Sequence, residues 1–160
     1  PFVFIRMALE NCNSISEVEK LLQVTVRDGG MNLFVVDGKN NTHAVYECTR
    51  KGYIKRQSSK PYIAGSNHYT ATTTPKGFKN GDRSSVSRLK RMEDLLSTMR
   101  MEDPYRDFIR VLSHPEVEQN LGASGTVYSN LACPSKSLYY YACNGFPAAS
   151  KAAFEEVIFP

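Results

Sequence analysis

The sequence has 160 residues, of which 41% are apolar and 22% charged, with a net charge of +4 spread along its length. That is enough chain for one globular domain with a real core, and the charge is too dispersed to mark a nucleic-acid surface. No apolar run approaches the roughly 20 residues of a membrane-crossing helix, no signal-peptide pattern opens the chain, and the cysteines have no zinc-like spacing with its histidines.

Phe2 to Leu9 is apolar enough for a buried strand or the lead-in to a helix. Ser14 and Glu17 have capping-box spacing, and Ile15, Val18, Leu21 and Leu22 form one helical face, with Gly29-Gly30 as its stop. Met31 to Val36 is a short apolar run suited to a strand covered on both sides. Asp37 to Asn41 is turn chemistry, His43 to Thr49 returns, and Lys51-Gly52 turns again into Tyr53 to Gln57, which predicts an antiparallel meander. His43 and Glu47 share one side of their strand, and a solvated face is the simplest reading of that pair. The Asn40-Asn41-Thr42 sequon is too short a pattern to imply secretion.

A fourth strand is expected at Tyr62-Ile63, running into Gly65-Ser66-Asn67-His68-Tyr69. A polar loop with Pro75, Gly77 and Gly81 follows it. Val86, Leu89, Met92, Leu96 and Met99 then mark the buried stripe of a helix. Arg88 falls at the margin of that stripe, whereas Lys90 and Arg91 point away. Asp103-Pro104 is an N-cap with proline at the first helical position, followed by Tyr105, Phe108, Ile109 and Leu112. His114 reads as a C-terminal cap on the helix dipole. Thr126 to Ala132 and Leu138 to Cys143 form a hairpin about Ser135-Lys136, which sets Cys133 opposite Leu138 and Cys143 opposite Tyr128, too far apart to bridge. All four cysteines (Cys12, Cys48, Cys133, Cys143) are therefore expected to be reduced, and an intracellular location is favoured. Ala148 to Phe154 has helical character, and Phe154 to Phe159 suits a last strand. The order of elements is that of an α+β domain with helices packed on antiparallel sheets.

Asn67 and Arg88 are the chemical candidates. A carboxamide at a strand end can hold a polarised oxygen, and a guanidinium at a helix start can orient an anion or acidify a thiol. Five segments come in a recognisable order: Arg6 to Glu10, Val45-Tyr46-Glu47, Ser66-Asn67-His68-Tyr69, Ser87-Arg88 and Asn144-Gly145-Phe146-Pro147. In order and spacing they resemble the later part of the N-terminal-nucleophile hydrolases related to isopenicillin-N acyltransferase, with bile-salt hydrolases and penicillin V acylases as distant kin. The resemblance implies a four-layer αββα sandwich, incomplete at its N-terminal side, with residues 1–160 as one domain. It implies an N-terminal cysteine nucleophile attacking an amide or thioester carbonyl, its own α-amine serving as base. Asn67 would then be the oxyanion donor, Arg88 would hold or acidify the nucleophile, and Ser87 would pack beside it. His68 is given no role.

None of the four cysteines here carries a free α-amine, so the nucleophile is expected upstream, in a missing segment or a partner chain. The sequence begins at Pro1 rather than Met, which suits a processed product or an incomplete reading frame. Missing strands would leave an open sheet edge or a groove beside Asn67, and poor solubility of the isolated chain. Substrates would be small acyl amides or acyl thioesters, with no cofactor, metal, nucleic acid or membrane partner. Two other readings stay open at this point. One is a non-catalytic binding module on the same fold. The other is an N-terminal-proline tautomerase, in which a secondary amine in an apolar pocket serves as base.

Overall fold

A computed structural model of the chain describes residues 2–56, 58–71 and 82–158. The loop expected at residues 72–81 and the candidate base Pro1 lie outside them. The chain divides into two compact units, Pro1–Asp82 and Arg83–Pro160, and each is α+β with a three-stranded antiparallel sheet.

The first unit opens with helix α1 (Phe2–Asn11), which settles the strand-or-helix alternative. Only Phe4 of α1 is buried, and an Arg6–Glu10 ion pair of 2.7 Å runs along its exposed side. Helix α2 (Ile15–Val24) starts as expected, with the Glu17 amide donating to Ser14 Oγ. The Glu17 carboxylate reaches back one residue further than in the usual capping box, accepting from the Asn13 amide at 2.6 Å.

The glycine pair does not end α2. The helix stops at Val24, and Thr25 is already extended. Arg27, only 3% exposed, takes over the carbonyls there. Its Nη1 donates to Leu22 O (2.9 Å) and Thr25 O (2.8 Å), its Nε to Thr49 O (2.9 Å) and its Nη2 to Gly52 O (2.9 Å). One guanidinium thus fastens the end of a helix to the second turn of the meander. Gly30 has a different task from the one expected: a Cβ there would collide with the Tyr69 hydroxyl.

The meander itself is as read: β1 (Met31–Asp37), β2 (Thr42–Cys48) and β3 (Tyr53–Arg56) in sequential order. One face packs Leu33, Ala44, Tyr46 and Cys48 against Phe4, Val18 and Leu22. The other face is not fully covered at the edge strand, since Phe34 is 46% and Val36 59% exposed. Farther in, Val45 and Glu47 are buried. Glu47 is therefore no part of a solvated face, although His43 is exposed. The segment expected as a fourth strand, Tyr62 to Gly65, forms no ladder; it is irregular chain laid over this second face.

Cys48 is fully buried beside Tyr46, and burial pushes its thiol from an ordinary 9.0 up to about 11. Burial also pushes the Tyr46 hydroxyl up. The charged forms are the disfavoured ones, so the unfolded chain loses these protons at lower pH than the folded chain. Stability is therefore full below pH 9 and falls as pH rises through about 11. The thiol alone contributes on the order of 3 kcal/mol to that loss. Urea midpoints measured from pH 7 upward should drop across this window, and Cys48→Ala should flatten the drop.

The second unit contains α3 (Arg83–Ser97), α4 (Pro104–Leu112), the hairpin β4 (Ser129–Cys133) and β5 (Leu138–Ala142), the short helix α5 (Ala148–Lys151) and β6 (Glu155–Glu156). Sheet order is β4-β5-β6. The hairpin register matches the expectation, with Cys133 opposite Leu138 and Ser129 opposite Ala142, and all four cysteines are free. Its turn is wider than two residues: Pro134–Lys136 form a 3₁₀ turn and Ser137 takes φ 53. In α3 Leu89, Met92 and Leu96 are half-buried as expected, but at its start Ser85 is buried and Val86 half-exposed. Asp103 caps α4 as read, accepting from the Arg106 amide. The ring of Tyr105 packs on that of Tyr140 at 4.6 Å.

Glu118, 8% exposed, accepts from the amides of Ala149 and Ser150 and so caps α5. Gly145 lies hard against the end of that helix. A Cβ on it would meet Lys151 C at 2.6 Å and Ala152 N at 2.7 Å, both backbone atoms. Gly145→Ala is expected to destabilise the second unit by about 1–3 kcal/mol, read as a lowered thermal midpoint.

Candidate active site

On the outer face of the first-unit meander, Asn32 of β1 and Glu47 of β2 are direct cross-strand partners. Period-two alternation puts both on the side over which residues 62–71 run. Asn32 Nδ2 donates to two carbonyls of that segment, Ser66 O at 2.8 Å and His68 O at 3.0 Å. Glu47 Oε1 accepts from the backbone amides of Thr70 and Ala71 (2.9 Å to the latter) and from Thr70 Oγ1 at 3.1 Å. Arg56 of β3 brings its Nε to 3.7 Å from the same carboxylate oxygen. Tyr69, buried, donates its hydroxyl to Cys48 O.

These bonds fix residues 66 and 68 to 71 on the sheet, and Asn67 stands among them as the exposed residue. It borders an open cleft of about 510 Å³ between residues 30–32 and 66–69. His68 turns its Nδ1 to Ser66 Oγ at 3.2 Å. That contact joins the two flanking side chains of Asn67 to each other. Gly65 lets the chain come this close, since a Cβ there would lie 2.6 Å from Phe34 Cζ and 3.2 Å from Arg56 Nη1. A more apolar groove of about 520 Å³ lies between α1, α2 and β1, lined by residues such as Leu9, Ile15 and Val35.

In the second unit, Arg88 is half-buried on α3 as its position predicted. Its Nε donates to Ser84 Oγ at 3.3 Å, and that hydroxyl also accepts from Gln119 Nε2 at 3.2 Å. Ser87 is exposed, and its hydroxyl donates to the Ser84 carbonyl one turn back. Arg91 does not point idly away. Its Nε lies 3.0 Å from Glu116 Oε2, and its Nη2 lies 3.0 Å from His114 Nε2. His114 thus serves an arginine on the neighbouring helix, while the C-cap of α4 is Ser113. Asn67 belongs to the first unit and Ser87 and Arg88 to the second.

Sequence reasoning missed Asn32 and the burial of Glu47. The signal available was an amide side chain inside the apolar run Met31 to Val36. Neither the buried Cys48 nor the half-buried Cys12 has a thiol favoured as thiolate. Burial raises Cys48, and burial together with Glu17 raises Cys12. Among the described residues no cluster of His, Cys, Asp or Glu could hold a metal ion, and no helix is long and apolar enough to cross a membrane.

A carboxamide beside an open polar cleft is a group that can donate to a polarised carbonyl oxygen. A family model described as acyl-coenzyme A:6-aminopenicillanic acid acyl-transferase matches residues 1–130, and the chain belongs to that family. The match spans Asn67, Ser87 and Arg88. No curated protein and no solved structure matches the chain.

Proposed function

We propose that the chain is the carbonyl-activating part of an enzyme that transfers acyl groups between, or hydrolyses, small acyl amides and acyl thioesters. The observation that carries this is the exposed Asn67 amide at the mouth of the 510 Å³ cleft, in a chain of an acyl-transferase family. Asn67 Nδ2 donates to the oxyanion that forms as the carbonyl is attacked. Arg88, with Ser87 beside it, orients the nucleophile and favours its thiolate form. The nucleophile is a cysteine with a free α-amine, contributed by chain outside residues 1–160, as in N-terminal-nucleophile hydrolases. The two antiparallel sheets then belong to a four-layer αββα sandwich that this added chain completes. The exposed apolar residues Phe34 and Val36 on an edge strand support that completion.

Two experiments test the reading. The product of the whole reading frame, assayed with acyl thioesters plus amine acceptors and with acyl amides, should turn over at least one class. Absence of turnover with both would sink the proposal. Residues 1–160 alone should be inactive, and their thiols should react with a disulfide reagent in order of exposure, Cys143 early and Cys48 only on unfolding. A thiol among the four reacting much faster than free cysteine would relocate the nucleophile into this chain.

A further inference from the structure

We infer that the cross-strand pair Asn32 and Glu47 is a positioning device that sets the aim of Asn67; the inference rests on the acyl-group reading of that residue. The two side chains hold complementary backbone groups. Asn32 holds the carbonyls on either side of Asn67, and Glu47 holds the amides at residues 70 and 71. Because they pair directly in the β1–β2 register, the distance between the two anchor points is fixed by the sheet rather than by the loop. Asn67 lies between the anchored positions and lines the cleft.

The electrostatics are specific to this task. Glu47 is 1% exposed, and burying a carboxylate there is costly unless several donors face it. Two amides, a hydroxyl and the Arg56 guanidinium do so. Asn32 Oδ1 is buried and has no hydrogen-bond partner among the described residues. An apolar residue would avoid that penalty and still pack in the sheet. The amide is therefore kept for its two donated bonds, which reach only the Asn67 loop.

The test uses the product of the whole reading frame with Asn32→Asp, Glu47→Gln, Glu47→Ala and Asn67→Ala. Asn32→Asp is isosteric but turns a carboxylate toward two carbonyls, and Glu47→Gln keeps an acceptor while removing the charge. Amide hydrogen exchange at residues 66–71 should rise at least tenfold in Asn32→Asp and Glu47→Ala and less in Glu47→Gln. The β1–β2 ladder should stay protected in each, which shows the variants to be folded. Acyl turnover should fall about 10²-fold in kcat with KM within threefold of wild type, the cost of a misplaced group. Glu47→Gln should lie between wild type and Glu47→Ala. Asn67→Ala should lose activity without loosening the loop. Unchanged exchange at residues 66–71 would overturn the clamp, and a loosened loop with wild-type kcat would overturn its positioning role. A wild-type protein without acyl turnover would overturn the functional reading instead, and the exchange data would then decide the clamp by themselves.

Discussion

Asn67→Ala in the protein of the whole reading frame is expected to lower kcat for acyl turnover by about 10²–10³-fold, the effect of removing one oxyanion donor. In free energy that is about 2.7–4 kcal/mol of transition-state stabilisation. Asn67 is exposed and its neighbours are held independently through Asn32, Tyr69 and Glu47, so the thermal midpoint should stay within about 2 °C of wild type. Asn67→Asp should be as poor as alanine, because a carboxylate offers no donor and repels the developing charge. A kcat within threefold of wild type in Asn67→Ala would remove the residue from the mechanism.

The largest stability effect is expected at Arg27. Its guanidinium is buried and makes four bonds to backbone carbonyls, joining the end of α2 to the β2–β3 turn. Arg27→Met keeps the unbranched apolar stem but removes the guanidinium, and with it the contact over the Phe4 ring at 6.0 Å, and leaves those carbonyls unserved. Hydrogen bonds to a charged group contribute about 1.5–3 kcal/mol each, and water recovers part of that on opening. A net loss of about 3–5 kcal/mol is expected, seen as a lower urea midpoint. Lysine should rescue poorly, since an ammonium cannot serve carbonyls in four directions from one plane. A loss under 1 kcal/mol in Arg27→Met would show that the carbonyls find other partners.

What the sequence disclosed was local. Asp37 to Asn41 and Lys51-Gly52 carry turn chemistry, and that was enough to place the meander. The hairpin register followed from Cys133 and Leu138 flanking a short polar segment, even though the turn proved to be 3₁₀ with Ser137 left-handed. Caps at Ser14 and Asp103 act within three residues and were legible for the same reason.

What stayed hidden depends on distant partners. Alternation put Glu47 on a face with His43 but could not tell that residues 70 and 71 would bring amides to it. Arg27 has no local signature, because its acceptors lie both before it and at residues 49 and 52. Tyr62 to Gly65 has strand-like composition yet joins no β-ladder among the described residues, and side chains of the sheet hold the segment that follows it. On α3 the periodicity placed Leu89, Met92 and Leu96 on the inward side, and only its first position differs, Ser85 being buried rather than Val86. Periodicity alone does not resolve which of two adjacent residues faces inward. Asn67 was legible as a candidate because it sits in a recognisable motif. The side chains that hold it became visible only in three dimensions.

The central claim is that Asn67 and Arg88 serve one acyl-group reaction. A double-mutant cycle on kcat/KM for acyl turnover, with Asn67→Ala, Arg88→Lys and the double variant, tests it most directly. Residues acting on the same transition state are expected to couple, with a double variant less impaired than the product of the single losses and an interaction energy above about 1 kcal/mol. Losses that multiply to within about 0.5 kcal/mol of strict additivity, or single variants that turn over like wild type, would contradict it.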